Sequence, residues 1–291
     1  MKQGSVGDKI SQFCIVLFLT LWGLLILYPF YNSLLVSLVR QETYIKTPFM
    51  IFPKEITFES YAYVFRSQYI WSGYKVTLFV VVVGVTYSLF LTVTMAYALS
   101  RKYFPGKNFV LNLIIITMFF SGGLVPYYLL VKSLHLIDSV FSMIIPQGVN
   151  TFYMLILRNY FQTIPESLEE SAKIDGANDF IILFRIMLPV ATPVLATITL
   201  FLSVDRWNEW FNAMLFIKDY NKQPLQLALM RIIQDVNNLN VGGSPAAQRK
   251  EIFTDGVKMA SIFVVMTPVM LVYPFVQRYF VKGIIIGAVK G

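Results

Sequence analysis

Few side chains here could make or break bonds, and the spacing of each excludes the reaction its type suggests. Gly106-Lys107 is followed by Asn108 and lacks the earlier glycine of a phosphate-binding loop, so the chain does not hydrolyse ATP by itself in the usual way. His135 is the single histidine and Cys14 the single cysteine, which removes HExxH zinc proteolysis, Cys/His zinc sites and any disulfide within the chain. His135 reads as a surface residue. Carboxylates are missing from the middles of the apolar runs, where a proton-coupled carrier would place its relay; Asp205 and Glu209 stand nearer one end of theirs. Catalytic, cofactor-binding and metal-binding sets are therefore absent, and two polar passages remain: 163–189 and the cluster around 205–212.

The first passage reads TIPESLEESAKIDGANDFIILFRIMLP and carries helix punctuation throughout. Thr163 or Ser167 can cap a first helix, each followed three residues later by a glutamate, Glu166 or Glu170. Gly176 stops that helix as a left-handed cap would. Asn178 or Asp179 starts a second, with Phe180, Ile181 and Phe184 on one face, before Pro189 opens the next apolar run. The spacing predicts a helix-turn-helix between two membrane spans. A long loop with secondary structure of its own is more often a docking element than a spacer. The alternative is an amphipathic hairpin lying on lipid headgroups.

Glu170-Ser171-Ala172, then Gly176, then Ile186-Met187-Leu188-Pro189 resembles the EAA loop of the membrane subunits of ABC importers. Ile174-Asp175-Gly176-Ala177 looks like the carbohydrate-importer version, and Ser171 stands where that family usually has a second, equally small, alanine. The resemblance implies a coupling helix seated in a cleft of a cytoplasmic ATPase, with Glu169, Glu170, Ser171, Ala172, Asp175, Gly176 and Ala177 as the coupling residues. Further stretches are similar to the branch that imports plant-polysaccharide oligosaccharides of the rhamnogalacturonan and aldouronate type. They are Phe119-Phe120-Ser121-Gly122-Gly123-Leu124-Val125-Pro126, Trp207-Asn208-Glu209-Trp210-Phe211-Asn212, and the ending from Tyr273-Pro274-Phe275 through Lys282-Gly283 to Gly291.

The same resemblance implies the fold and the company: an all-α polytopic membrane protein of type I ABC importer permease architecture, a transport subunit and not an enzyme. Its expected partners are a homologous second permease, two ATPase subunits (shared in some systems among importers) that bind ATP and Mg, an extracellular solute-binding lipoprotein, the oligosaccharide and membrane lipid. Alternating access follows, with ATP closing the ATPase pair and tilting the coupling helices. The loop 218–258 is expected to reach the binding protein's sugar cleft, and the tail after Lys282 to touch the ATPases.

The elements that must position these residues are membrane helices. Apolar residues make up 56% of the chain and charged ones 14%, which excludes an ordinary soluble enzyme. A net charge of +8 does not point to nucleic acid, because the basic residues sit at the ends of apolar runs, as topology signals do. Six spans are expected in one permease domain, at about 11–38, 73–99, 109–131, 140–161, 188–217 and 259–280. A kink is expected at Pro29 and a break near Ser121-Gly122-Gly123 and Pro126. The coupling loop is 163–187, and the external loops are 39–72, with a short helix near 58–65, and 218–258, with an amphipathic helix at 224–234 and a Gly242-Gly243-Ser244-Pro245 turn. Arg101, Lys102 and Lys107 follow the second span, against a single basic residue in the short link through His135 and Asp138. Long loops count for little in this rule, so the short ones place both termini and the coupling loop in the cytoplasm of a bacterial (inner) membrane protein.

Within that frame Trp207, Asn208, Glu209, Trp210 and Asn212 on the outer half of the fifth span, with Gln147 and Asn150 on the fourth, are the expected substrate path. A helix would bring 205, 208, 209 and 212 near one face. Such a stripe is costly against lipid and useful beside a wet cavity. The structural alternative is that Asp205, Arg206 and Glu209 sit at headgroup depth or pair with neighbouring helices. A different functional class, an ion-gradient-driven carrier of small polar solutes, would show inverted repeats with midplane ion sites, and no clear repeat is present.

Overall fold

Proline, glycine and asparagine cut the apolar runs into more helices than crossings. In this computed structural model, which describes residues 6–47, 50–53, 55–241 and 253–288, the helices are α1 (Val6–Ser37), α2 (Gln41–Lys46), α3 (Glu59–Arg66), α4 (Gln68–Ser100), α5 (Lys107–Phe119), α6 (Leu124–Ser133), α7 (Thr151–Thr163), α8 (Glu166–Ile174), α9 (Asp179–Ile182), α10 (Leu188–Val190), α11 (Thr192–Trp207), α12 (Phe211–Phe216), α13 (Leu225–Val241) and α14 (Thr254–Ala288). No strand occurs among the described residues. Among the described residues three helical stretches are long and apolar enough to cross a bilayer, Lys9–Ser37, Gln68–Ser100 and Thr254–Pro274, and two bent pairs join them on length and composition.

The chain forms two compact units. One comprises Met1–Ser67 and Leu229–Thr267. Here Leu35, Val39 and Met50 pack with Tyr44 and Phe253. The most apolar stretch of α1 buries nothing within the chain, a surface suited to lipid or to another subunit. The Gly242-Gly243-Ser244-Pro245 turn lies outside the described residues.

The second unit comprises Gln68–Ala228 and Pro268–Gly291, and α4 is its axis. Gly73, Thr77, Gly84, Ser88, Thr92, Ala96 and Ser100 recur along α4 and are all buried. Most lie four apart, along a ridge that winds slowly around the helix, and small side chains there let neighbouring backbones approach closely. Val93, Ala96 and Leu99 of α4 meet Leu157 and Phe161 of α7 and Leu202 of α11 in the core. Farther along, the backbone of Leu225 donates to Thr77 Oγ1 at 2.8 Å.

Three expected spans are drawn differently, and the third carries its expected break. The third is α5 and α6, bent by 117° at residues 120–123, where Gly123 adopts φ +85°. The fourth, expected over 140–161, is not one helix: a 3-10 turn at Val140–Met143 gives way to an irregular stretch through Pro146, and α7 starts only after Asn150. Asn150 Oδ1 accepts from the amides of Phe152 (3.0 Å) and Tyr153 (3.3 Å), so it serves as an N-cap. The fifth, expected over 188–217, bends by 86° between Asp179–Val190 and Thr192–Trp207 and stops at Trp207. Pro193, at the start of α11, has no amide hydrogen and suits a first turn. The sixth runs on past 280, so the expected tail is helical to Ala288, and α13 likewise outruns 224–234.

The close approach at Gly73 is testable. A Cβ there would lie 3.0 Å from Leu225 Cα and 3.3 Å from Ala228 Cβ, whereas at Gly23 it would meet nothing within 4 Å. Gly73→Ala is expected to destabilise the detergent-solubilised protein by about 1–3 kcal/mol, and Gly23→Ala by no more than about 0.5 kcal/mol. Thermal unfolding of the two side by side checks the difference.

Candidate functional site

The passage 163–189 folds as a helical hairpin. Neither Thr163 nor Ser167 caps it: Thr163 Oγ1 donates back to the Tyr160 carbonyl at 2.8 Å, and Ser167 lies inside α8, which begins after Pro165. Gly176 adopts φ +83°. The amide of Ala177 donates to the Ala172 carbonyl (2.9 Å) and that of Gly176 to Lys173 (3.0 Å), the paired bonds of a left-handed helix stop. Asn178 Oδ1 then accepts from Ile181 N at 2.9 Å and opens α9. A π turn at Leu183–Met187 follows.

The hairpin sorts its coupling candidates into two sets. Glu169 and Ala172 turn inward and are buried, and Ala177 is partly covered. Glu170, Ser171, Asp175 and Gly176 face outward, beside Ile174, 86% exposed, and Phe180, 68% exposed. An apolar tip standing this free of its own chain is the kind of surface a partner covers.

Glu169 is held by three donors. Arg101 Nη1 pairs with Oε2, while Tyr103 Oη (2.9 Å) and Lys173 Nζ (3.0 Å) reach Oε1. Burial alone would raise its carboxyl pKa, but Lys173, Tyr103 and Arg101 outweigh burial and hold it below the ordinary 4.5. Glu169 in turn raises the Lys173 ammonium. Burial, then the hydrogen bond to Glu169, pushes the Tyr103 phenol up. Beside this cluster lies a cavity of about 380 Å³, lined by residues that include Arg101, Lys102 and Lys107 together with Glu166, Glu169 and Glu170. The Lys102–Glu166 pair at its rim, 2.8 Å long, is exposed and contributes little.

A second cluster surrounds Arg206, 2% exposed. Its Nη1 donates to the Met143 carbonyl (2.6 Å) and Gln147 Oε1 (2.7 Å), and its Nη2 to Ser88 Oγ (3.0 Å) and the Gln147 carbonyl (2.5 Å). Gln147 Nε2 donates to Glu209 Oε2 at 2.9 Å, so one side-chain amide bridges the cation and the carboxylate. Asn212 donates to Glu209 through its backbone N (2.9 Å) and Nδ2 (3.0 Å), and Tyr127 Oη donates to Asn212 Oδ1 at 2.9 Å, tying α6 to α12.

The expected face through 205, 208, 209 and 212 therefore does not form. Asn208 is the C-cap of α11, and the turn after it swings Glu209 and Asn212 inward, where both are buried; Trp207 is buried as well. Asp205, Asn208 and Trp210 stay exposed, as do Gln147 and Asn150. Asp205 Oδ2 accepts from Tyr153 Oη at 3.0 Å, and Asn208 Oδ1 from Gln226 Nε2 at 3.1 Å. Sequence reasoning saw in Arg101 only a topology charge and passed over Tyr103, Tyr127 and Tyr153, because phenols in an aromatic-rich chain give no periodic signal. Among the described residues no three His, Cys, Asp or Glu side chains gather around a point that could hold a metal ion.

Comparison with known proteins places this geometry. Residues 103–286 match the family model described as binding-protein-dependent transport system inner membrane component. The protein LplC of Bacillus subtilis (strain 168) is 40% identical over 98% of this chain and 96% of its own length. YtcP of the same organism, a polygalacturonan/rhamnogalacturonan transport system permease protein, is 39% identical over 98% and 99% respectively. A chain in the crystal structure of a bacterial ABC transporter involved in import of the acidic polysaccharide alginate superposes with a TM-score of 0.87 at 33% identity, over 96% of this chain and all of that one.

The lowered Glu169 pKa gives a signed test. A carboxylate whose folded pKa lies below its unfolded value stabilises above the unfolded value and loses that contribution as pH falls through the folded one. The thermal stability gap between the native chain and Glu169→Gln should be full at neutral pH and narrow below about pH 4.5. A gap unchanged through that window would contradict the pairing. In the second cluster, Arg206→Met strips four acceptors of their donor and is expected to lower the yield of folded protein, whereas Asn208→Ala at the exposed cap is not; size-exclusion chromatography in detergent separates the two.

Proposed function

This chain belongs to the family of binding-protein-dependent transport system inner membrane components, and from that premise we propose that it forms half of the translocation path of an ATP-driven importer of uronate-rich oligosaccharides. It is a multi-pass membrane permease and not an enzyme. The α8–α9 hairpin is the coupling element: Glu170, Ser171, Asp175 and Gly176, with Ile174 and Phe180, meet the ATPase, while Glu169 and Ala172 fasten the element to this chain. That division, a capped hairpin anchored by a buried carboxylate and tipped with exposed apolar side chains, carries the reading.

The remaining subunits follow from the system type: a second homologous permease, two ATPase subunits binding ATP and Mg, and an external solute-binding lipoprotein. The acidic sugar class rests on the polygalacturonan/rhamnogalacturonan permease and on the alginate importer to which the chain is similar. Six crossings put both termini and the hairpin in the cytoplasm and residues 39–72 and 218–258 outside, the fourth crossing being completed by the non-helical stretch before α7. Along the path, the exposed groups Asn208, Trp210, Gln147 and Asn150 are available to solute. Glu209, Asn212 and Trp207 shape the wall from behind.

Two experiments test this. A Cβ at Gly176 would meet nothing, so Gly176→Val acts only through its positive φ, a strain of about 1–3 kcal/mol. It is expected to depress transport-coupled ATPase activity while membrane insertion survives; unimpaired coupling would remove the hairpin from its role. With Cys14 replaced, a cysteine at Ser171 should label only after permeabilisation and one at Ser244 from outside. Labelling of both from outside would refute the topology.

A further inference from the structure

The covalent chain suggests that a push on the hairpin travels onward into α11, the next long helix. Three features stand in that route: the π turn at Leu183–Met187, Pro189, and the 86° bend before Thr192. A π turn and a helix break are places where helices yield rather than transmit.

A different connection is tightly built. Arg101, directly after α4 and 7% exposed, donates through Nε to Ser100 Oγ (2.9 Å), through Nη2 to the carbonyl of Phe161 in α7 (3.3 Å), and through Nη1 to Glu169 of α8. Its guanidinium also lies 4.9 Å from the centre of the Tyr97 ring of α4. One sealed cation thus joins three elements. Tyr103 extends the connection to the second arm: its hydroxyl lies 2.9 Å from Glu169 Oε1 and 3.1 Å from Asp179 Oδ1, and Lys173 Nζ sits 4.1 Å above its ring. Its single proton serves one carboxylate at a time, and Lys173, 3.0 Å from Glu169 and 3.9 Å from Asp179, offsets the charge of both. Beneath the polar layer Ala172, Ile182 and Leu183 pack with Leu99, Leu157 and Phe161, so shear between hairpin and helices would also open apolar contacts.

We infer that Arg101 and Tyr103 are positioning residues that deliver the motion of the α8–α9 hairpin to the inner ends of α4 and α7, the covalent link into α11 being the compliant route. The inference rests on the hairpin being the ATPase-coupling element. Energetic coupling needs a contiguous network that moves as a unit, and a desolvated charge set is such a network because each partner is costly to leave unpaired.

The test uses the whole importer in proteoliposomes, with both permeases, the ATPase pair and the sugar-loaded binding protein, and reads oligosaccharide moved per ATP hydrolysed. Arg101→Gln is expected to lower that ratio about fivefold or more, the lower end of a typical coupling energy, with the ATPase still co-purifying in full stoichiometry. Tyr103→Phe, which removes one hydroxyl and keeps the ring, should lower it less, and the exchange Arg101→Glu with Glu169→Arg should recover part of the loss. Ala191→Gly, at the bend before α11, should leave the ratio within about twofold. An unchanged ratio in both Arg101→Gln and Tyr103→Phe overturns the inference, as does lost assembly with an unchanged ratio in what remains. Should Arg101→Gln not assemble, Tyr103→Phe decides alone. A fall in Ala191→Gly matching that of Tyr103→Phe would also overturn it. A native complex whose ATPase ignores the loaded binding protein would instead overturn the coupling reading itself.

Discussion

Two guanidinium groups, each nearly sealed from solvent, set the geometry of the unit built around α4. A buried arginine must find acceptors for a planar fork of donors, and leaving one unpaired in a membrane protein is costly. Arg206 finds them only because α4 presents no side chain at Gly84, where a Cβ would stand 3.3 Å from Nε, and a hydroxyl at Ser88 one turn on. Arg101 closes the other end of the same row of small residues through Ser100. The helix is thus held at two points, by the Arg206 cation of α11 and by Arg101 at its own end reaching α7 and α8, and the packing between those points follows.

The division between what the residues disclosed and what they concealed has a physical basis. Gly176, Asn178 and the Ser121-Gly122-Gly123 break act locally, through φ preference and a side-chain oxygen within three residues, and those effects are readable without tertiary context. The passage 163–189 was legible as a helical hairpin for that reason, down to the turn. The helices over the expected fourth and fifth spans are less continuous than expected because apolar composition reports burial and not continuity: Asn150 in an apolar run looks like a polar group at membrane depth until it is seen capping α7. The cap at Thr163 failed similarly, since a threonine can equally close the last turn of the preceding helix. Hardest to see was the fate of Glu209. Its partner Gln147 is far away in the chain, and no periodicity links them.

These inward turns change how a polar residue in such a chain should be interpreted. Glu209 and Asn212 had the composition of a solute-binding stripe, yet their hydrogen-bonding capacity is taken up by Gln147, Tyr127 and each other. Asp205, which accepts from Tyr153, and Asn208, which accepts from Gln226 and donates to the Val204 carbonyl, stand one turn earlier and remain accessible. Satisfied groups thus lie behind a thin layer of accessible ones, and polar composition alone does not separate the two.

The π turn between the hairpin and α11 has a consequence for how this stretch tolerates length change. Successive residues of an α-helix advance by about 100° around its axis, and a π turn accommodates one extra residue without passing that rotation on. Deleting a single residue from Leu183–Met187 would restore ordinary helical winding there and leave the segments on either side nearly in phase. Glu169 would stay within reach of Arg101, and Ile174 on the surface it now presents. A second deletion would find no spare residue to absorb it and would turn the hairpin by roughly 100° relative to α11, so the direction of the tip is buffered against the loss of one residue at these positions and of no more than one.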